Sequence, residues 1–257
     1  HELNEAIHYL RDLFPASLNR LDLHFTEAWR DAGFPLEKLR EAGNIPRLSF
    51  GTWIGGDRDG HPLVTPEVTE RSLELLRGAA LELLQREITN LASILTLSTH
   101  HNEVPEELED RIEELGLSLR DEAIVSELEH KVGQEPWRHL ASLMAARLKS
   151  QSSGSPGYSS PEALGRDLEL ISDSIIANGC ALIEEQHIRP LRHKLEIFGF
   201  HLAALEIRQN SDFHDRAISQ LLVAAGVEGG ADYPDWREKK RVEFLTEELQ
   251  STRPFLH

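Results

Sequence analysis

Apolar residues recur at three- and four-residue steps through most of this chain, the period of a helix buried along one face. Leu3, Ile7, Leu10, Phe14, Leu18, Leu21 and Phe25 predict a helix from Leu3 to Trp29, kinked or broken at Pro15. A longer one follows. Thr65 suits its cap, Pro66 its first turn, and Glu67 places negative charge at its start. The run SLELLRGAALELLQREITNLASILTL then carries it to Leu97, weakened at Gly78. At ~1.5 Å per residue such a helix spans roughly 45 Å and forms a spine of the domain. Shorter helices are predicted at Pro105–Leu115, Ser118–Lys131, Pro136–Lys149, Pro161–Asn178, Cys180–Ile197, Ser211–Ala225 and Pro234–Gln250.

Two segments break the helical period. Arg47–Ile54 (RLSFGTWI) and Phe200–Ile207 (FHLAALEI) are short, apolar and bounded by glycine, which predicts buried strands, each running into a charged loop. The Ser/Gly/Pro-rich stretch Ser150–Pro161 (SQSSGSPGYSSP) reads as a flexible surface loop. No internal repeat is present. The pattern therefore predicts a single mainly α segment over residues 1–257, a long-helix bundle carrying about two short strands. A strand needs a partner, and theirs are expected outside the chain.

Composition narrows the function. With 27 Lys+Arg against 44 Asp+Glu in 257 residues the formal charge is −17. That disfavours nucleic acid and anionic membranes as partners. The hydrophobic fraction of 40% is enough for a packed core. Cys180 stands alone, so no internal disulfide forms, and its apolar and small neighbours suggest a packed thiol. The N-terminus has neither the basic nor the apolar region of a signal peptide and no initiator Met, so a processed chain or a piece of a longer, cytoplasmic one is expected.

The densest candidate chemistry is FGTWIGGDRDGHPLVTPE, Phe50–Glu67. Gly51, Gly55, Gly56 and Gly60 permit close backbone approach, while Asp57, Arg58 and Asp59 crowd three charges into one turn. The flanking aspartates are expected to fix the Arg58 guanidinium. A calcium loop counted from Asp57 would need Glu at its twelfth position, which is Val68, and a phosphate loop would need Gly-Lys-Ser/Thr. An ion-paired turn remains, shaping a site or only closing a structure. The second candidate is LEIRQNSDFHDR, Leu205–Arg216. Leu205 and Ile207 are expected to face one way, Glu206 and Arg208 the other. Arg208 at the end of a buried strand needs an anion, either a ligand or a carboxylate such as Glu206 or Asp212. Among the thirteen histidines, His100–His101, His139, His187, His193 and His214 show no metal-ligand spacing. The pairs Glu106–Glu107, Glu113–Glu114 and Glu247–Glu248 read as solvated helix faces.

FGTWIGGDRDGHPLVTPEVT closely resembles the F-x-S-W-M-G-G-D-R-D-G-N-P-x-V-T segment of the phosphoenolpyruvate carboxylase family, and FGFHLAALEIRQNSDFH resembles the family's F-G-x-x-L-x-x-L-D-I-R-Q-x-S-x-x-H. Weaker likeness covers EPWRHLASLMAARL and YPDWREKKRVEFLTEELQSTRPFL, in the family's order. The departures are Thr52 for Ser, Ile54 for Met, His61 for Asn and Glu206 for Asp. The resemblance implies an internal segment of a longer carbon–carbon lyase that joins phosphoenolpyruvate to bicarbonate with Mg²⁺, giving oxaloacetate and phosphate. It implies that the two strands belong to an eight-stranded β/α barrel completed by the rest of the polypeptide, and that the full-length protein is a homo-oligomer, commonly a tetramer. Carried over by position, Arg208 matches an arginine that helps bind substrate phosphate. Trp53, with Gly55, Gly56, Asp57, Arg58 and Asp59, matches a loop shaping the pocket.

The family's T-A-H-P-T-E stretch with its essential His, its F-H-G-R-G-G loop and its acidic metal ligands are absent from this sequence. The isolated chain is therefore expected to be inactive, with Mg²⁺ ligands outside it. A different class remains open: a catalytically silent paralogue or a helical module binding partners through Thr65–Leu97.

Overall fold

A computed structural model gives the fold, described for residues 1–40, 48–59, 63–100, 102–119, 121–132, 134–152, 154 and 156–250. The chain is mainly α and divides into two compact units, His1–Ile54 with Glu70–Leu205, and Gly55–Thr69 with Glu206–His257. Arg47, Gly60, His61, His101, Ser153, Ser155 and the closing STRPFLH lie outside the described residues.

The first unit opens with helix α1 (Glu2–His8), a π-helical turn at Tyr9–Leu13, helix α2 (Phe14–Asp31) and the short α3 (Leu36–Arg40). The break expected at Pro15 is thus a widened turn instead, and α2 continues through the proline. In that turn the Phe14 N–H donates to Tyr9 O, five residues back. The wider turn gives the proline ring room against the preceding carbonyls. The same device recurs within Cys180–Ile197. There α9 (Ala181–Ile183) leads into a π turn at Glu184–Ile188, and Pro190 follows in the first turn of α10 (Arg189–Phe198).

Helix α4 (Pro66–Ile94) is the predicted spine. Within the first unit it buries two faces. Leu84, Ile88 and Leu91 pack with α5 (Glu106–Ser118), α7 (Pro136–Ser152) and α8 (Pro161–Ala177) through Leu108, Leu115, Trp137, Leu140, Leu164 and Leu168. Leu76, Ala80 and Leu83 pack in a second cluster with Ile7, Leu10, Phe198 and Leu202. Phe50 is stacked between Phe14 and Phe198, with centroids 5.1 and 5.5 Å away. Helix α6 (Glu122–Val132) covers α7.

Inside the Ser150–Pro161 stretch, Ser150–Ser152 end α7. Gln151 then holds Tyr158 by two hydrogen bonds: its Oε1 accepts the Tyr158 N–H at 3.0 Å and its Nε2 donates to the Tyr158 carbonyl at 3.1 Å. Tyr158 is buried, and Ser160 Oγ caps α8 by accepting the Ala163 N–H.

The strands differ most from expectation. They are two residues each, β1 (Gly51–Thr52) and β2 (Ala204–Leu205), and they pair with each other in parallel, Gly51 beside Ala204 and Thr52 beside Leu205. Partners outside the chain are not needed for this ladder. Helix α4 and the helices after it form the crossover that parallel neighbours require. Leu202, buried at φ +61°, turns the chain from α10 into β2. The second unit holds the loop starting at Gly55, the first turn of α4, α11 (Ser211–Ala224), a 3₁₀ turn at Gly230–Asp235 and α12 (Glu238–Glu248). Arg241 ties these helices together: Nε donates to Trp236 O at 3.0 Å, Nη1 to Asp215 at 2.8 Å, and Nη2 to Pro234 O.

Candidate functional site

In the second unit the two candidate motifs meet through their backbones. The Arg58 N–H donates to Arg208 O at 2.9 Å and the Arg208 N–H donates to Gly56 O at 3.0 Å, a parallel bridge between Asp57 and Arg208. Gly55 adopts φ +91°, a conformation only glycine takes without strain, and turns the chain into this bridge. Asp57 Oδ1 accepts the Asp59 N–H at 3.2 Å, tightening the turn.

The side chains are arranged differently from the sequence expectation. Arg208 is not buried. Its side chain is 52% exposed, Nη2 donating to Glu206 at 2.9 Å with Asp57 3.9 Å from Nη1. The strand ends at Leu205 and solvent reaches the residues beyond it, so Ile207 is also exposed (62%), although Phe200–Ile207 reads as a buried strand. The aspartates flanking Arg58 do not clamp it either. Asp57 turns toward Arg208, Asp59 is exposed, and the Arg58 guanidinium donates through Nη2 to Thr69 Oγ1 at 2.9 Å. An aspartate beside an arginine in sequence points away when the backbone is extended, so adjacency did not predict contact.

Thr69 is the residue the sequence reasoning missed. Buried in the first turn of α4, its hydroxyl accepts from Arg58 and donates to Gly55 O at 2.8 Å. A neutral threonine eleven residues from Arg58 carries no sequence signal for such a role. The start of α4 is also already supplied. Thr65 Oγ1 accepts the Val68 N–H, and the Glu67 carboxyl is held below its usual range by its hydrogen bond with Thr65, by the helix backbone and by Arg58. A negative side chain at that terminus leaves little attraction for an external anion.

Trp53 belongs to the first unit, where the residue is 55% exposed beside Thr52, whose hydroxyl accepts the Ile54 N–H at 3.2 Å. Among the described residues no three His, Cys, Asp or Glu side chains form a group able to hold a metal ion. Asp57 and Glu206 already face a guanidinium. The site as described thus fits an anion drawn to Arg208 and does not fit a divalent cation. No described helix is long and apolar enough to cross a membrane.

A family model described as Phosphoenolpyruvate carboxylase matches residues 1–257. Relatives bearing that name include the protein of Aromatoleum aromaticum, 34% identical over 80% of this chain and 23% of the relative. That of Xanthomonas euvesicatoria is 41% identical over 69% of this chain and 20% of the relative. That of Mycobacterium avium is 33% identical over 99% of this chain and 27% of the relative. The chain spans about a quarter of the length of these curated relatives.

Proposed function

Because the chain belongs to the phosphoenolpyruvate carboxylase family, we propose that it is a segment of an enzyme that joins phosphoenolpyruvate to bicarbonate, and that Arg208 helps hold the substrate phosphate. The products are oxaloacetate and inorganic phosphate. The observation that carries this reading is the exposed Arg208 guanidinium on a backbone-bonded bridge, steadied from one side by Glu206 and Asp57. A guanidinium presents its N–H donors in a planar fork suited to phosphate, and Glu206 accepts from Nη2. The two carboxylates orient the cation and temper its charge until an anion arrives.

Both substrates are anions, so cationic side chains must offset their repulsion, and the intermediates must be kept from water. Trp53, Gly55, Gly56, Asp57, Arg58 and Asp59 are proposed to shape the pocket wall. Mg²⁺ would supply charge neutralisation when held by residues of the full-length protein other than 1–257, to which its ligands and the catalytic His are assigned. The ladder of β1 and β2 is proposed to be part of a larger β/α barrel, and the full-length protein a cytoplasmic homotetramer.

In the full-length protein, Arg208→Gln is expected to raise the KM for phosphoenolpyruvate and lower kcat/KM by about tenfold or more, the worth of one charged contact of ~1.4 kcal/mol. Unchanged steady-state kinetics would return Arg208 to a surface ion pair. Residues 1–257 alone are expected to form no oxaloacetate in a coupled assay.

A further inference from the structure

The loop that carries the Arg208 bridge converges on Thr69. Its hydroxyl has one proton, and Gly55 O at 2.8 Å is a nearer acceptor than Thr65 O at 3.2 Å. The same oxygen accepts from Arg58 Nη2 at 2.9 Å. One buried atom thereby joins the start of the loop to the guanidinium three residues on. Both partners depend on it. Gly55 has no side chain to fix its carbonyl, and the Arg58 Nε is buried without a partner among the described residues. Between these two anchors lie Gly56, whose carbonyl accepts the Arg208 N–H, and Arg58's own N–H, which donates to the Arg208 carbonyl.

We propose that Thr69 is the positioning residue for anion binding at Arg208. By fixing Gly55 and Arg58 it fixes the stretch to which the Arg208 backbone is bonded, and so the direction in which the Arg208 guanidinium is offered. This rests on the reading of Arg208 as a phosphate contact. The role requires a hydroxyl. Valine has nearly the same shape but would leave Gly55 O and the Arg58 Nη2 without this partner in a partly buried place, whereas serine keeps both hydrogen bonds.

The test uses full-length protein carrying Thr69→Val, Thr69→Ser or Arg58→Gln, with phosphoenolpyruvate as the probe. Thr69→Val is expected to raise the KM about tenfold with kcat changed less than about threefold, the pattern of lost ground-state positioning. It should also speed amide exchange in the peptide covering Gly55–Asp59, and Thr69→Ser should restore both. A Thr69→Val protein with wild-type KM overturns the inference, as does a Thr69→Ser protein as impaired as Thr69→Val, since packing by the methyl would then be the cause. If Thr69→Val does not fold, Arg58→Gln carries the test, and an unchanged KM again overturns it. Wild-type protein that makes no oxaloacetate sinks the parent reading instead. The exchange measurement then decides by itself whether Thr69 holds the loop.

Discussion

Two arginine–carboxylate clusters in this chain use the same chemistry to opposite ends. Arg111 reaches Asp167 through two donors, Nε at 2.7 Å and Nη2 at 3.1 Å, and the Tyr158 hydroxyl donates to the same carboxylate at 2.7 Å. The Asp167 side chain is 5% exposed, and both its oxygens accept hydrogen bonds. Hydrogen bonding to Asp167 raises the Arg111 pKa, while burial, then the Asp167 charge, push the Tyr158 hydroxyl up. Arg208 has one close carboxylate, a second at 3.9 Å, and half its side chain in solvent. The first cluster closes its carboxylate off from solvent and joins α5 to α8. The second stands open to solvent. A buried pair with several hydrogen bonds marks structure, and an exposed, oriented one marks a candidate site.

The comparison is broken most forcefully at Asp167. Asp167→Ala strands a partly buried guanidinium and the Tyr158 hydroxyl together, and is expected to cost about 3 kcal/mol of local stability. Amide exchange of the α5 and α8 peptides in the full-length protein would read this as a loss of protection. Tyr158→Phe removes one buried hydrogen bond to a charged acceptor and should cost ~2 kcal/mol by the same measurement. Arg208→Gln should behave inversely, changing protection of its neighbours by less than ~0.5 kcal/mol, the scale of exposed ion pairs, while the tenfold kinetic loss remains. If Arg208→Gln loosened its surroundings as Asp167→Ala does, the distinction would collapse and Arg208 would belong with the structural pairs.

The helices were legible because each buries one stripe, and a stripe leaves a period. Thr65, Pro66 and Glu67 announced the start of α4, and the apolar run behind them announced its length. The strands were legible only as segments. Which residues pair depends on the crossover, a long-range property that RLSFGTWI and FHLAALEI do not encode locally, so the Gly51–Ala204 and Thr52–Leu205 register came from the fold. Glu206 was one of the carboxylates named for Arg208 and does meet it, but at the surface, whereas the buried arginine–aspartate pair joins Arg111 and Asp167, 56 residues apart, and had no signal in the sequence. Thr69 was silent for a related reason. Charged and glycine-rich motifs stand out in a sequence, whereas a hydroxyl acquires meaning only from the carbonyl and guanidinium brought to it. One of the two π turns was half visible: Pro15 signalled a disturbance, but a kink and a widened turn look alike in sequence, and Cys180–Ile197 read as one unbroken helix.

The smallest expected effect concerns His139, which extends the contrast between closed and open polar groups to one that titrates. It lies buried in α7 with its Nε2 unpartnered among the described residues. Burial lowers its pKa from 6.5, and the charge of Glu129 on α6 opposes that shift without cancelling it. The fold therefore holds the imidazole neutral, while the unfolded chain protonates it near its ordinary value. The resulting stability is present above that ordinary value and is lost as pH falls from there through the depressed folded value. Lowering the pH from about 7.5 to about 5.5 should reduce the protection of α7 amides, corrected for intrinsic exchange rates, more in the wild-type protein than in His139→Gln. Equal losses in the two proteins would mean that Glu129 balances burial, so that His139 is protonated in place at no cost to the fold, and would move it from the closed class of polar groups to the open one.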